Sequence, residues 1–302
     1  MTPSLRALVL GAAAGGGLPQ WNCGCRNCTL ARKSDSGVEP QTQSSLAVSA
    51  DGEHWAILNA SPDIRQQMTA HMVLHPKSVR HTPVSSVMMT NGDIDHLAGL
   101  LILREKQAFT VFLTASIMQV IEQNPIFNAL DREFVTFRQV GLDEIFELAP
   151  GLEAELFVVP GKVPLFMEGE SVDTKMEGDQ TVGVRLAVAG KTAFYIPGCA
   201  AMTPLLEERL RDAELVFFDG TVFENEEMLS TMTGQKTGAR MGHMAMSGDD
   251  GSMAAFEGLG VARKIFIHIN NTNPVWNPAS KESATVDAAG WEIGRDGMEV
   301  TL

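Results

Sequence analysis

Three cysteines crowd into Cys23-Gly24-Cys25-Arg26-Asn27-Cys28. A C-x-C-x-x-C spacing suits three corners of a Zn²⁺ tetrahedron held by thiolates. The fourth donor has to come from far along the chain. The candidates are His268 and Asn271 in Phe266-Ile267-His268-Ile269-Asn270-Asn271, so a structural zinc there would tie the N-terminal region to the end of the fold. A disulfide framework fits less well, because 302 residues with four cysteines do not make a small stapled scaffold. A second run, Thr90-Asn91-Gly92-Asp93-Ile94-Asp95-His96, gathers amide, carboxylate and imidazole donors and has the character of a chemical site rather than a structural one.

Composition agrees with a cytoplasmic enzyme built as a single domain, with 44% hydrophobic and 20% charged residues. The net charge of −14 argues against nucleic acid and anionic membrane surfaces as partners. Any anionic substrate must then meet a local cluster of cations, for which Arg65, Lys162, Lys236 and Arg240 are the candidates, Arg240 first because it lies three residues from His243. The Leu5-Arg6-Ala7-Leu8-Val9-Leu10 stretch runs into glycines and cysteines without a cleavage pattern and reads as a first buried strand. No apolar run reaches the roughly 20 residues that span a bilayer.

The elements that must position these donors follow from pattern. Ser45–Ser49 and His54–Leu58, around Asp51-Gly52-Glu53, form a hairpin that ends in Asn59-Ala60-Ser61-Pro62-Asp63, where Pro62 opens a helix capped by Ser61. Val84–Met89 is a buried strand, and a helix begins in Leu97–Leu103. Val182–Val188 and Lys191–Ile196 form a second hairpin turning at Ala189-Gly190, followed by a capped helix over Thr203–Asp212. Leu215–Phe218 and Lys264–Ile269 are continuous apolar strands of the kind covered on both faces. Hydrophobic strands therefore stop, one after another, at Asp63, at Asn91 to His96, at Cys199, at Asp219 and at His268. That recurrence predicts that the strand ends converge on one pocket at the edge of a sheet.

Thr90-Asn91-Gly92-Asp93-Ile94-Asp95-His96-Leu97-Ala98-Gly99-Leu100 resembles the metallo-β-lactamase superfamily motif T-H-x-H-x-D-H-x-x-G-L, with Asn91 and Asp93 in place of its first two histidines. Together with the cysteine triplet, Asn59-Ala60-Ser61-Pro62-Asp63, Phe218-Asp219-Gly220-Thr221, Met241-Gly242-His243-Met244 and Ile267 to Pro274, the chain is similar throughout to the pyrroloquinoline quinone (PQQ) biosynthesis B proteins of that superfamily. The resemblance implies a four-layer αββα sandwich (α/β, α+β) with an N-terminal zinc knuckle and a metal site at the edge of its two sheets. It implies that His268 completes a cluster with Asp95 and His96, and that Asn91 and Asp93 add oxygen donors.

Gly198-Cys199 stands where relatives carry a bridging carboxylate, and the histidine expected near Val159-Pro160-Gly161-Lys162 is missing, so a dinuclear hydrolase loses its basis. Two histidines and a carboxylate match in type the facial triad of Fe(II) oxygenases, with Mn²⁺ and Zn²⁺ as alternatives. The family resemblance implies O₂-dependent hydroxylation of the tyrosine ring of a glutamate-tyrosine cross-linked precursor of PQQ. A metal-dependent hydrolase and a carrier of the quinone or an intermediate are the competing readings. In the leading one His243 contacts substrate or moves a proton, Asp63 and Asp219 orient ligand imidazoles, and Cys199 is a small buried residue. Met228, Met232, Met241, Met244 and Met246 suggest an adaptable loop that closes over a ligand. The zinc knuckle could also order a homodimer.

Overall fold

The computed structural model describes residues 3–169 and 173–302. Six strands open the first sheet in chain order: β1 (Arg6–Gly11), β2 (Ser45–Ser49), β3 (Trp55–Leu58), β4 (Val84–Met88), β5 (Phe109–Leu113) and β6 (Val135–Gln139). The second sheet holds β7 (Ile145–Ala149), β8 (Leu152–Val158), β9 (Val182–Val188), β10 (Lys191–Ile196), β11 (Leu215–Asp219), β12 (Lys264–Ile267) and β13 (Glu292–Ile293). β14 (Glu299–Thr301) returns to the first sheet beside β1, giving the orders β14-β1-β2-β3-β4-β5-β6 and β13-β12-β11-β10-β9-β8-β7.

Strand alternation explains the layering. Ala7 and Val9 of β1 belong to the core shared with the second sheet, while Leu8 and Leu10 belong to a separate cluster with helix residues Ile64, Leu97, Ile117 and Ile121. Successive side chains of a strand point to opposite faces. β1 therefore has another sheet on one side and helices on the other, and β2 and β3 are buried at every position for the same reason. On the far side Leu206, Leu210, Phe256 and Trp291 cover the second sheet. The result is the αββα sandwich that the resemblance implied.

Each sheet is antiparallel in one half and parallel in the other. β1-β2-β3 and β7-β8-β9-β10 are antiparallel, whereas β3-β4-β5-β6 and β10-β11-β12-β13 are parallel. Parallel neighbours need crossover connections, which lie outside the sandwich, and their carboxyl ends are where ligands collect in α/β sheets. The two sheets are joined at that end: Val182 N donates to Thr90 O at 2.9 Å. Both expected hairpins are present, and Thr114 and Thr203 cap the helices Ala115–Gln123 and Pro204–Leu210 by accepting from Ile117 N and Leu206 N.

Two local expectations are corrected. The helix after β3 spans Ile64–Ala70 and starts at Asp63, because Ser61 Oγ turns to Gln67 Oε1 instead of capping, and Pro62 lies before the helix. After β4 the chain makes a single α-turn, Ile94–Leu97, and then a 3₁₀ turn, Ala98–Leu101, in place of a helix over Leu97–Leu103. The tightening has a cause. Gly99 N donates to Ala60 O at 2.9 Å, and a Cβ on Gly99 would stand 2.1 Å from Ser61 O and 2.7 Å from Ala60 O. Only glycine lets the metal-motif turn press against the backbone that ends β3. A Gly99→Ala variant is expected to lose about 1–3 kcal/mol of stability by overpacking, measured as a fall in the urea unfolding midpoint at unchanged slope.

Candidate metal centre

Asp95, His96 and His268 come together at the strand ends with Asp219 and His243 behind them, and their contacts define what each can do. The turn after β4 carries Asp95 and His96, and the residue after β12 is His268. Asp95 Oδ2 lies 3.2 Å from His268 Nε2 and 3.7 Å from His96 Nε2, so one carboxylate faces two imidazoles drawn from different sheets. Burial pushes Asp95 up, but the charges of His96 and His268 hold it well below the ordinary carboxylate range. Burial pulls His96 down to about 4, so its imidazole is neutral at pH 7. Burial also acts to lower His268, and the hydrogen bond to Asp95 reverses this and raises it.

Tautomers follow from the partners. Asn91 Oδ1 sits 2.7 Å from His96 Nδ1, and because an amide oxygen only accepts, the proton is placed on Nδ1. His96 Nε2 then keeps its lone pair, and it is buried without a hydrogen-bond partner. An orphaned, neutral imidazole nitrogen beside a carboxylate and a second imidazole is the arrangement that a divalent cation completes. Asn91 Oδ1 also accepts from Asp93 N at 3.0 Å. This corrects the expectation that Asn91 is itself a ligand: its oxygen is committed to orienting His96. Asp93 stands outside the close group of Asp95, His96 and His268, its Oδ1 accepting from Leu165 N at 3.3 Å. Burial, then the neighbouring Asp95, raises its carboxyl above the usual range.

A second network lies behind His268. Thr221 Oγ1 is 2.7 Å from Asp219 Oδ1, 2.9 Å from His268 Nδ1 and 3.1 Å from His243 Nδ1. Asp219 Oδ2 accepts from Cys199 N at 2.9 Å and faces His243 Nδ1 at 2.6 Å. A hydroxyl has one proton to give, so Thr221 donates to Asp219 and accepts from His268 Nδ1–H, while His243 Nδ1–H goes to Asp219. His243 is thereby left with an Nε2 lone pair, while His268 Nε2 donates to Asp95 at 3.2 Å, a proton that a bound cation would displace. Asp219 is fully buried with partners on both oxygens; burial would raise it, and His243 lowers it. Thr221 enters the family resemblance only as the last residue of Phe218-Asp219-Gly220-Thr221, with no role of its own attached.

His268 has φ +54°, in the left-handed region, which costs of order 1–3 kcal/mol unless its surroundings hold it. Ile269 N to Ala12 O at 2.9 Å and Ala14 N to Ile269 O at 2.8 Å provide that hold, and Gly15 leaves room for Asp95, whose Cγ would be 3.3 Å from an added Cβ. Asn59, at φ +63°, does a similar service for the first sheet, bonding Thr90 N through Oδ1 and Thr90 Oγ1 through Nδ2, each at 2.9 Å.

Several expected residues are engaged with other partners. Asp63 Oδ2 accepts from Gln43 N and Gln43 Nε2, both at 3.0 Å, and that short turn-fastening pair replaces the expected contact with a ligand imidazole. Arg240 is ion-paired with Glu168 at 3.2 Å, as are Lys162 and Lys236, while Arg65 is exposed on the helix Ile64–Ala70. Cys199 is buried, as expected, and burial raises its thiol far above the ordinary range. Met244 and Met246 are core residues, because strands β11 and β12 need apolar cover there, so the expected adaptable loop does not include them.

The cysteine knuckle lies at the opposite end of the segment that begins with His268. The Sγ atoms of Cys23, Cys25 and Cys28 lie within 4.8 Å of one another. The side-chain amide of Asn271 is 3.3, 3.5 and 3.3 Å from them. A tetrahedron with Zn–S of about 2.3 Å and Zn–O of about 2.1 Å has S···O edges of roughly 3.6 Å, so the Asn271 amide occupies the fourth corner once its oxygen is turned inward, a choice that the amide's near symmetry leaves to the network. His268 is instead committed to the other centre. Burial pushes Cys28 up to about 12, and three thiolates at this spacing call for a cation. Asn27 Nδ2 secures the loop by donating to the backbone oxygens of Asn271 and Asn273 at 3.0 and 2.8 Å.

Comparison with known proteins agrees with this geometry. Residues 54–269 match the model of the beta-lactamase superfamily domain. Coenzyme PQQ synthesis protein B of Rhizobium meliloti is 58% identical over 301 residues, spanning 100% of this chain and 99% of that protein. The chain belongs to the coenzyme PQQ synthesis protein B family. Its counterpart from Ruegeria pomeroyi is also 58% identical, over 99% of this chain and all of that one. The crystal structure of Zn²⁺-bound PqqB from Methylobacterium extorquens superposes with a TM-score of 0.97 at 48% identity, covering 98% of this chain and 100% of that one. A diphosphatase of the PhnP family, at 20% identity and a TM-score of 0.69, shares the fold. No helix among the described residues is long and apolar enough to cross a membrane.

Removing the shared hydroxyl in Thr221→Val is expected to weaken metal binding at the histidine centre by about 10–100-fold, read by competition with a chromogenic chelator. Zinc content of the knuckle, measured on the same samples, is expected to stay at the wild-type level. Cys25→Ser is expected to reverse the pattern, losing the knuckle zinc first.

Proposed function

We propose that this chain acts in PQQ synthesis by hydroxylating the tyrosine ring of the glutamate-tyrosine cross-linked precursor, with Fe(II) held by Asp95, His96 and His268 and with O₂ as co-substrate. The observation that carries the reading is the buried, unpartnered His96 Nε2 beside Asp95 and His268, two histidines and one carboxylate, while the neighbouring His243 has its Nδ1 turned to Asp219. Support for the pathway comes from the names of the relatives at 58% identity. Fe(II) in such a triad supplies O₂ activation, one oxygen atom entering the ring and the other leaving as water with two electrons from an external reductant.

The chain's own residues do the rest. Asn91 and Thr221 hold the ligand imidazoles with Nε2 forward. Asp219 fixes His243 as the Nδ1–H tautomer, which leaves His243 Nε2 to accept the phenolic proton, and the same carboxylate steadies the imidazolium that results. A structural Zn²⁺ on Cys23, Cys25, Cys28 and Asn271 keeps the segment from His268 to Asn271 in place.

The test is anaerobic loading with Fe(II), then ¹⁸O₂ and ascorbate with the cross-linked precursor, followed by mass analysis. The expected product carries one ¹⁸O per hydroxylation, and Asp95→Ala and His268→Ala are each expected to abolish it while zinc in the knuckle is kept. Absence of ¹⁸O incorporation with Fe(II), Mn²⁺ and Zn²⁺ alike would overturn the oxygenase reading. For His243→Gln a fall in kcat of about 10²–10⁴ is expected, with iron content unchanged.

A further inference from the structure

Four charged side chains gather beside the centre without any role in the steps above. Glu168 accepts Lys162 Nζ at 3.0 Å, Lys236 Nζ at 3.3 Å and Arg240 Nη2 at 3.2 Å. Three cations around one carboxylate leave an excess of two positive charges, in a chain whose net charge is −14. The Glu168 and Lys162 side chains are only 9% and 12% exposed. Burial acts to raise Glu168, and the hydrogen bonds from Lys162 and Arg240 outweigh it and hold the carboxyl at about 2. Arg240 is only half used: Nη2 reaches Glu168, whereas Nη1 is buried and has no partner. A guanidinium offers a planar fork matched to both oxygens of a carboxylate, and here one prong is idle.

The cluster adjoins the metal residues. The Lys162 stem runs 3.2–3.7 Å from where a Cβ on Gly242 would be, next to His243, and its charge acts on Asp93. Leu165, whose N–H bonds Asp93, begins an exposed apolar run with Phe166 and Met167, so a cationic cluster and an apolar edge lie side by side. That pairing suits a ligand with an aromatic body and carboxylate arms. Glu168, on the segment that follows Phe166 and Met167, holds the place such an arm would take.

We propose that Lys162, Lys236 and Arg240 form a carboxylate-binding subsite of the metal centre, and that Glu168 is its internal occupant, exchanged for a carboxylate of the substrate. The substrate class rests on the function proposed above, while the exchange itself can be read without any turnover.

Glutarate serves as the probe, titrated calorimetrically into the metal-loaded full-length protein, with glutaramide as the uncharged control. Glu168→Gln removes the competing charge at nearly constant shape and is expected to tighten glutarate binding at least tenfold over wild type, with no binding of glutaramide. Adding Arg240→Gln to that variant is expected to remove the gain. Equal glutarate affinity in wild type and Glu168→Gln would overturn the proposal, as would a gain that survives Arg240→Gln, which would place the anion on the metal. Should Glu168→Gln fail to fold, Glu168→Asp withdraws the carboxylate by one methylene while keeping its charge. It is expected to tighten glutarate several-fold, and unchanged affinity there would count against exchange equally. Failure of hydroxylation with a positive glutarate result would leave the subsite standing and overturn only the oxygenase reading.

Discussion

A largely enclosed carboxylate set between two buried imidazoles, one from each sheet, is the interaction on which the rest of this structure depends. Asp95 faces His96 at the end of β4 and His268 at the end of β12, at 3.7 and 3.2 Å. A buried charge is tolerated only when it is paired and hydrogen-bonded, so the two sheets must meet at one edge with their ends in register. The Val182–Thr90 backbone bond, the Asn59–Thr90 pair and the loop from Ala12 to Gly15 secure that meeting. The field that favours a proton on His268 equally favours a divalent cation among the three donors.

The donors are held from behind by an amide, a hydroxyl and a buried carboxylate. Asn91 and Thr221 choose the tautomers of His96 and His268, and Asp219 chooses that of His243. Such partners decide which nitrogen faces the metal or the substrate, as oriented imidazoles in metal sites generally require. Only two residues, Ile269 and Asn270, then separate the two centres, from His268 with its left-handed backbone to Asn271 over the cysteines. The knuckle thus fixes one end of the strained segment, and the loop from Ala12 to Gly15 fixes the other.

Much of this was legible in the residues. The apolar runs of β1, β11 and β12 and the turn residues of two hairpins follow from local pattern, because a strand's burial and a turn's dihedrals are encoded within a few residues. The C-x-C-x-x-C spacing pointed to the knuckle, and polar residues at successive strand ends pointed to a common pocket. Local pattern failed where partners are remote. Asp63 looked like a helper of histidines and fastens Gln43 instead; Ser61 looked like a cap and bonds Gln67. Asn91, placed where a ligand would stand, turned out to be the support of His96. Thr221 carried no signal, since its three polar partners come from β11's own end, from the turn before Met244 and from the end of β12.

By itself, then, the sequence determined the element types, the thiolate trio and the set of candidate donors, all properties of neighbouring residues and of side-chain chemistry. Tertiary structure alone decided which donors face one another, which nitrogen of each imidazole faces the site, that the Asn271 amide rather than His268 stands beside the three thiols, and that Glu168 sits on the three cations. Those outcomes depend on distances between residues up to 248 positions apart, such as Cys23 and Asn271. Such distances are set by sheet packing and register, and no local spacing encodes them.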